Sequence, residues 1–545
     1  MLTRPAPVTP RPPAPVERAQ VRLTKRGRVV AGVVSVAGVA AVAAWLHTPI
    51  GLHTEGLRDG GMVGTAAAED LRLTLWTGAP GALERATLRL DGQDVTAQAR
   101  DGDRLTLEPA LDDGDHVVTL SVPRRFPLPD LVRRWDFGID TQAPLLEVTS
   151  PNGPLIGDAA AVLAGRKEPG AVLTLDGQPV EVEGEAFRID LDRSAPRQDL
   201  VLVATDAAGN TTEDRRTLVS VPSRVTPEAG VRSVHVSYEG WADPTLREPV
   251  LAMAERGAIT SVQLDLKDET GLVGYDSQVP LVREIGAVNA PTYDLAAAIA
   301  DLHERGVSVV GRIVAFADPV LAANAWENGR RDMVLQTRNG NQYSGYGGFT
   351  NFAHPEVREY LVDLAEEAAA AGVDGILWDY VRRPDGDLDG LSIPGLEGTP
   401  EEAIASFLAE SRARLAPYDV DHGASVYGVA ATRPTEIGQD IPAMAESLDY
   451  VAPMVYPSHW GPGEYGVADP NRQPYEIVRR SLADFQLAVE GTDARVVPWL
   501  QDFSLGVTYR TAEVKAQIDA AADIGIDEWL LWDAGTRYTE SALAN

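Results

Sequence analysis

The chain has 545 residues, more than one domain holds, and an ordinary apolar fraction of 44%. Its formal net charge of −32 excludes a nucleic-acid partner, because phosphate binding needs a basic footprint. It has no Cys, which rules out disulfides, thiolate zinc sites and a Cys nucleophile, and with only eight His and no HExxH motif it carries no zinc-hydrolase signature.

Residues 1–28 read as a Pro-rich, disordered cytoplasmic tail that ends in the basic cluster Arg22, Lys25, Arg26 and Arg28. Val29–Leu46 carries no charge and is just long enough to span the hydrocarbon core. The basic flank keeps the tail inside, so residues 29–46 are expected to be a transmembrane signal anchor. That makes the cytoplasmic membrane a partner and places the C-terminal domains outside the cell. A cleaved signal peptide is the competing reading, since Ala41-Val42-Ala43 looks like a cleavage site, but the segment before the apolar run is long for one.

Two small all-β modules follow, at 70–140 and 141–222. They share a weak repeat, ATLRLDGQDV at Ala86–Val95 and AVLTLDGQPV at Ala171–Val180, each an alternating strand running into an Asp-Gly turn. Asp115–Val122 and Asp199–Asn210 supply further strands. The DAAGN ending of the second module resembles bacterial immunoglobulin-like domains of surface proteins, which implies a spacer role. Val221–Ala229 reads as a linker.

From 231 to 545 the pattern becomes strand, helix, strand, helix. Eight strands are expected at Ser233–Tyr238, Ser261–Leu266, Val307–Ala315, Gly375–Asp379, Ser425–Val429, Tyr450–Tyr456, Arg495–Leu500 and Glu528–Trp532. Leu295–Arg305, Pro355–Ala371 and Thr511–Ile524 are expected helices between them. The fold class is therefore α/β, a (β/α)8 TIM barrel preceded by one transmembrane helix and two immunoglobulin-like modules. No GxGxxG follows the first strand, so a dinucleotide site is not supported.

A barrel carries its chemistry at the C-terminal strand ends. The fourth strand ends in Asp379, followed by Tyr380 and Arg382, an ionisable group suited to nucleophilic attack or oxocarbenium stabilisation. The second ends in LDLKDETG, where Asp265 and Lys267 share a face by alternation and are expected to pair in the barrel mouth. The third carries Arg312. The sixth offers Tyr456, His459 and Trp460, with Glu464 beyond. The seventh offers Trp499 and Asp502, and the eighth Trp532 and Asp533. A rim that repeats an aromatic beside a carboxylate suits sugars, whose C–H faces stack on rings while their hydroxyls bond to acids. Asp385–Gly390 copies the start of a calcium loop, but its twelfth position is Leu396 and not the bidentate Glu, so it reads as a solvated turn. No metal site and no cofactor are expected.

Six blocks, LDLKDETGLVGYDS, GRIVAFADPVLA, HPEVREYLVDLAEEAAAAGVDGILWDYVRRP, PMVYPSHWGPGEYGVADPNRQPYE, VPWLQDF and EWLLWDAGTRYTE, fall in the order of the bacterial putative glycosyl hydrolase family and resemble it over about 231–543. The resemblance implies a glycosidase-like barrel and matches Asp379 to the Asp of the family's D-Y-V-R-F-P block. Arg383 departs from that block, where an aromatic usually stands. The function expected is a membrane-anchored extracellular glycoside hydrolase acting on a cell-envelope or extracellular polysaccharide through two carboxylates. Asp379 is the expected nucleophile or stabiliser, and the acid is one of Asp265, Asp502, Asp533 or Glu464. Asp502 and Asp533 lead, because each lies beside a Trp that would desolvate it. Lys267, Arg312, Tyr380, Arg382, Tyr456, His459, Trp460, Trp499 and Trp532 are expected to bind the sugar. The rival is a barrel that holds surface glycan without cleaving it.

Overall fold

The computed structural model describes residues 51–543, apart from 57, 79–80, 124–128, 183, 194, 289–290 and 387–389. The expected tail and the expected membrane span at 29–46 lie outside the described residues, as does the centre of the Asp385–Gly390 turn. Among the described residues no helix is long and apolar enough to cross a membrane.

The chain parts into two compact units. One comprises the described part of Met1–Glu147 with Arg166–Ala186 and Leu202–Asp214; the other comprises Val148–Gly165, Phe187–Val201 and Arg215 onward. In the first unit both Asp-Gly turns form. Thr87–Leu90 pairs antiparallel with Gln93–Asp94 across Asp91 (φ 49°) and Gly92 (φ 81°), and Val172–Leu175 with Gln178–Val180 across Asp176 (φ 50°) and Gly177 (φ 74°). Left-handed φ at both central residues is what a type I′ hairpin demands, and Asp followed by Gly meets it at low cost. The unit's first sheets hold four and five strands over a core of Leu73, Leu75, Leu88, Leu105, Val118 and Leu120. One pairing is parallel, Gly61–Val63 with Leu131–Ile139.

The second unit contains a closed barrel. Its strands are β1 (Arg232–Val236), β2 (Ser261–Lys267), β3 (Ser308–Val314), β4 (Gly375–Asp379), β5 (Asp421–Tyr427), β6 (Tyr450–Met454), β7 (Arg495–Val496), β8 (Trp499–Gln501) and β9 (Trp529–Trp532). All pair in parallel. The order runs β5-β4-β3-β2-β1-β9-β8-β6, and β5 pairs with β6 to close the ring. Segments β7 and β8 are two halves of one stave, so nine segments make eight staves. The break falls at Val497 and Pro498, where proline has no N–H to give the ladder.

Helices α1 (Pro244–Glu255), α2 (Leu295–Glu304), α3 (Pro319–Glu327), α4 (Pro355–Ala371), α5 (Pro400–Leu415), α6 (Pro474–Ala488) and α7 (Thr511–Ala522) lie between the staves. Alternate strand residues face opposite ways. Val234, Val262, Leu264 and Val309 join the large cluster that also holds the helix side chains, whereas Val310, Leu377, Tyr450, Ala452, Trp499 and Leu530 form a separate inner cluster. Strand β5 starts four residues earlier than expected. In this added stretch His422 is buried with both ring nitrogens engaged: Trp378 Nε1 donates to Nε2 at 2.9 Å, and Nδ1 lies 2.8 Å from the Ser447 carbonyl. Gly423 pairs within the strand on both sides, and glycine is required there because a Cβ would meet the Tyr450 ring at 2.2 Å.

Candidate active site

The C-terminal ends of β1 to β4 each place one charged or ionisable side chain inside the barrel, in neighbouring positions: His235, Asp265, Arg312 and Asp379. Arg312 is the hub. Its Nη1 donates to Asp265 Oδ1 at 2.8 Å and its Nε to Asp379 Oδ2 at 2.8 Å. Its Nη2 lies 2.6 Å from Asp379 Oδ2 and also donates to Glu269 Oε1. His235 Nε2 lies 3.0 Å from Asp265 Oδ2. The guanidinium sits over the Trp532 ring at 5.1 Å, and the same indole stacks on His235 at 4.1 Å. Burial opposes ionisation of Asp265, but His235 and Arg312 outweigh it and hold the carboxyl below its usual range. Burial likewise works against the Arg312 cation, but Glu269, Asp265 and Asp379 overcome it and raise its pKa.

Asp379 keeps one face to the cleft. The Tyr380 N–H donates to its Oδ1 at 2.7 Å, from a residue at φ 48°. Glu269 stands on the turn after β2. Asp268 braces that turn by accepting from Thr270 N at 3.0 Å and from the Tyr238 hydroxyl at 3.0 Å. Gly271 completes it at φ 80°, where a Cβ would come 2.5 Å from Asp318 Oδ1.

A cleft of about 650 Å³ opens above this cluster. Asp379, Glu269 and Arg312 lie on its wall together with Tyr380, Arg382, Tyr456, His459, Trp460, Trp499 and Trp532, so the structure brings most of the expected residues to one place. Arg382 is sandwiched by the rings of Tyr427, Tyr380 and Tyr346 at 4.5, 4.9 and 5.1 Å. Arg383, the departure from the family block, donates to the carbonyls of Pro384 (2.6 Å), Thr435 (2.8 Å) and Gly386 (3.1 Å). The opposite wall is aromatic: Trp499 stands edge-on to Trp532 at 5.5 Å, and Tyr456 packs on His459 at 5.4 Å. Burial lowers the His459 pKa, favouring its neutral form.

Five sequence expectations are placed elsewhere. Lys267 does not pair with Asp265 and does not reach the cleft. A register irregularity falls between the two residues, and the fully buried Lys267 amine lies 3.1 Å from Asp318 Oδ2 and donates to the Val314 carbonyl at 2.7 Å. Asp265 lies behind Arg312, 2% exposed, rather than on the cleft surface. Asp502 is turned to Thr539, accepting from its N–H and hydroxyl at 2.6 Å each; burial, against those two bonds, pushes its pKa up to about 6, but it does not line the cleft. Asp533 caps its own loop, accepting from Gly535 N at 2.8 Å and Arg537 N at 3.1 Å. Glu464, the other acid considered, pairs with Arg433 at 3.4 Å. The residue that sequence reasoning passed over is Glu269. It stands two residues past the strand end, where alternation no longer assigns a direction.

Among the described residues no group of His, Asp and Glu is arranged to hold a metal ion. A larger hollow of about 1120 Å³ lies in the first unit, but its acids Glu55, Asp70 and Asp101 are all exposed to solvent. Water screens such groups, so the strand-end cleft with its buried charges is the stronger candidate.

Residues 233–538 match the model of a family described as a putative glycosyl hydrolase domain. The chain matches no curated protein. A hypothetical protein from Ruminiclostridium thermocellum ATCC 27405 is similar at 29% identity over 35% of this chain and 96% of its own, with a TM-score of 0.31. The glycoside hydrolase domain of PgaB (BpsB) from Bordetella bronchiseptica is similar at 17% identity over 56% of this chain and 95% of its own, with a TM-score of 0.41. The α-galactosidase TtGalA from Thermus thermophilus is similar at 14% identity over 64% of this chain and 74% of its own, with a TM-score of 0.35.

Proposed function

Because the chain belongs to the putative glycosyl hydrolase domain family, we propose that its barrel hydrolyses a glycan, with Asp379 and Glu269 as the two working carboxylates. The observation that carries this reading is the sharing of one nitrogen, Arg312 Nη2, by both carboxylates at the floor of an aromatic cleft. Two acceptors on one nitrogen have their oxygens no more than about 6 Å apart. Retaining glycosidases space their carboxyl groups at roughly 5–5.5 Å, so the arrangement favours retention over inversion, which needs roughly 6.5–9.5 Å.

In this mechanism Asp379, fixed by Arg312 and the Tyr380 N–H, attacks the anomeric carbon. Glu269, in its protonated form, gives its proton to the glycosidic oxygen, and the leaving sugar departs with the bonding pair. Glu269 then takes a proton from water, which attacks the anomeric carbon and releases Asp379. Trp499, Trp532, Tyr456 and Trp460 supply the faces on which sugar rings stack. We further place the barrel outside the cell on an anchor at 29–46, with the β modules, read as immunoglobulin-like, as its spacer and an envelope or extracellular polysaccharide as substrate.

The test is release of reducing ends from a polysaccharide panel, including the producer's own envelope glycans, by the full chain and by its Asp379→Asn and Glu269→Gln variants. Release by the parent and by neither variant is expected. Equal release by parent and Asp379→Asn refutes the assignment. Retention of a glycan on the protein with no release by any form would make the barrel a binding protein.

A further inference from the structure

His235 takes no part in the proposed chemistry, yet it is 2% exposed and tied to the residues that do. Donor and acceptor alternate around four adjacent staves, from His235 on β1 through Asp265 on β2 and Arg312 on β3 to Asp379 on β4. Each link is a direct bond: 3.0 Å from His235 to Asp265, 2.8 Å from Arg312 to Asp265, and 2.8 Å from Arg312 Nε to Asp379. Asp265 spends one oxygen on His235 and the other on Arg312. If the first partner is removed, the freed oxygen is left without a bond in a buried position, a cost that turning toward Arg312 relieves. That turn would draw the guanidinium fork away from Asp379.

The other ring nitrogen of His235 carries a second observation. Nδ1 is buried with no partner among the described residues, and it shares this condition with Ser233 Oγ, Ser261 Oγ and both amide atoms of Gln263. The strand register sets His235 opposite Gln263 and Ser233 opposite Ser261, and all four alternate with residues of the outer layer, so their side chains share the barrel interior. Ordered water needs two to four such partners, and these two neighbouring staves carry five unpartnered polar atoms.

Resting on the glycosidase reading above, we propose that His235 is the positioning residue of the carboxylate pair, acting through Asp265 and Arg312. Water held by Ser233, Ser261 and Gln263 donates to Nδ1 and so reserves Nε2–H for Asp265. The ring is fixed in plane by its stack on Trp532, and the indole thereby clamps His235 and Arg312 together.

Two variants of the full chain test this. His235→Phe keeps the stack and removes both nitrogens, while His235→Gln keeps a donor for Asp265. On a glycan that the parent cleaves, His235→Phe is expected to lower kcat by about 10- to 100-fold, the scale of a small misplacement of a reacting group. KM should stay within about twofold, and His235→Gln should recover most of the loss. Crystal structures should show Arg312 withdrawn from Asp379 in the Phe variant and restored in the Gln variant, with water on Nδ1 in the parent. Unchanged kcat, or Arg312–Asp379 bonds in the Phe variant as short as in the parent, overturns the proposal. If the parent cleaves nothing, it is the glycosidase reading that fails, and the crystallographic comparison still decides the role of His235. Should His235→Phe not fold, Gln263→Leu removes the water seat and is expected to reproduce a smaller loss in kcat; no loss would refute the water's part.

Discussion

Arg312 faces three carboxylates, those of Asp265, Asp379 and Glu269, with one positive charge. Its deletion would leave two buried anions next to one another. Arg312→Met is therefore expected to destabilise the fold by at least about 3–5 kcal/mol, the cost of breaking a buried pair, and to abolish activity; urea denaturation reads the first. Lys267 and Asp318 form another such pair, and Lys267→Met should cost a similar amount without touching the cleft wall. The two basic residues illustrate what sequence can convey. Arg312 is legible because its partners stand at strand ends, where a barrel gathers its polar groups. Lys267 is not, since its partner lies on the loop after β3 and the irregularity beside it breaks the alternation on which its direction was read.

Two further residues link stability to pH with opposite sign. Burial, opposed by the Ser447 carbonyl, lowers the His422 pKa from 6.5 to about 4, so its contribution is complete above 6.5 and lost as pH falls toward 4. Asp502 is raised from 3.8 to about 6, so its contribution is complete below 3.8 and lost as pH rises toward 6. Each is of the order of 3 kcal/mol, at about 1.4 kcal/mol for each unit. In the parent the two offset one another across this window. Asp502→Asn removes one side, so its urea midpoint should fall more steeply than the parent's between pH 6.5 and 4.5. A drop no steeper than the parent's would mean that Asp502 is not raised.

At the scale of elements, the staves and helices follow hydrophobic periodicity, and α4 runs over Pro355–Ala371 as the sequence implies because Pro opens it and Gly372 at φ 106° ends it. What periodicity cannot carry is compensation between staves. Gly423 and Tyr450 are one such pair: the glycine on β5 leaves the room that the ring on β6 fills. A strand pattern penalises Gly423, and only the neighbour explains it. Gly423→Ala is expected to cost about 1–3 kcal/mol by overpacking, measured by thermal denaturation. Helix α5 begins with a reciprocal cap, Thr399 accepting from Glu402 N at 3.2 Å and Glu402 accepting from Thr399 N at 2.9 Å. Thr399→Ala should cost about 1 kcal/mol by the same assay.

For the whole molecule, the decisive feature is the seam between β1 and β9, where Arg232 pairs with Trp529 and Val234 with Leu531. The Val231 N–H donates to Glu528 Oε1 at 2.9 Å across a separation of 297 residues. A chain ended before Trp529 would lack one stave of eight. It should lose the cooperative unfolding transition and become sensitive to protease throughout 231–528, rather than lose a peripheral piece. The seam also bears on biosynthesis. As the nascent chain emerges, each strand after β1 finds a neighbour, but β1 keeps one row of backbone groups unpaired until β9 leaves the ribosome. For that interval the half-made barrel presents an open edge, the kind that recruits strands from other chains. Pairing over so long a loop is intrinsically slow. The hazard to this protein's yield is therefore concentrated in the last moments of synthesis, and slower translation of the segment before Trp529 would lengthen it.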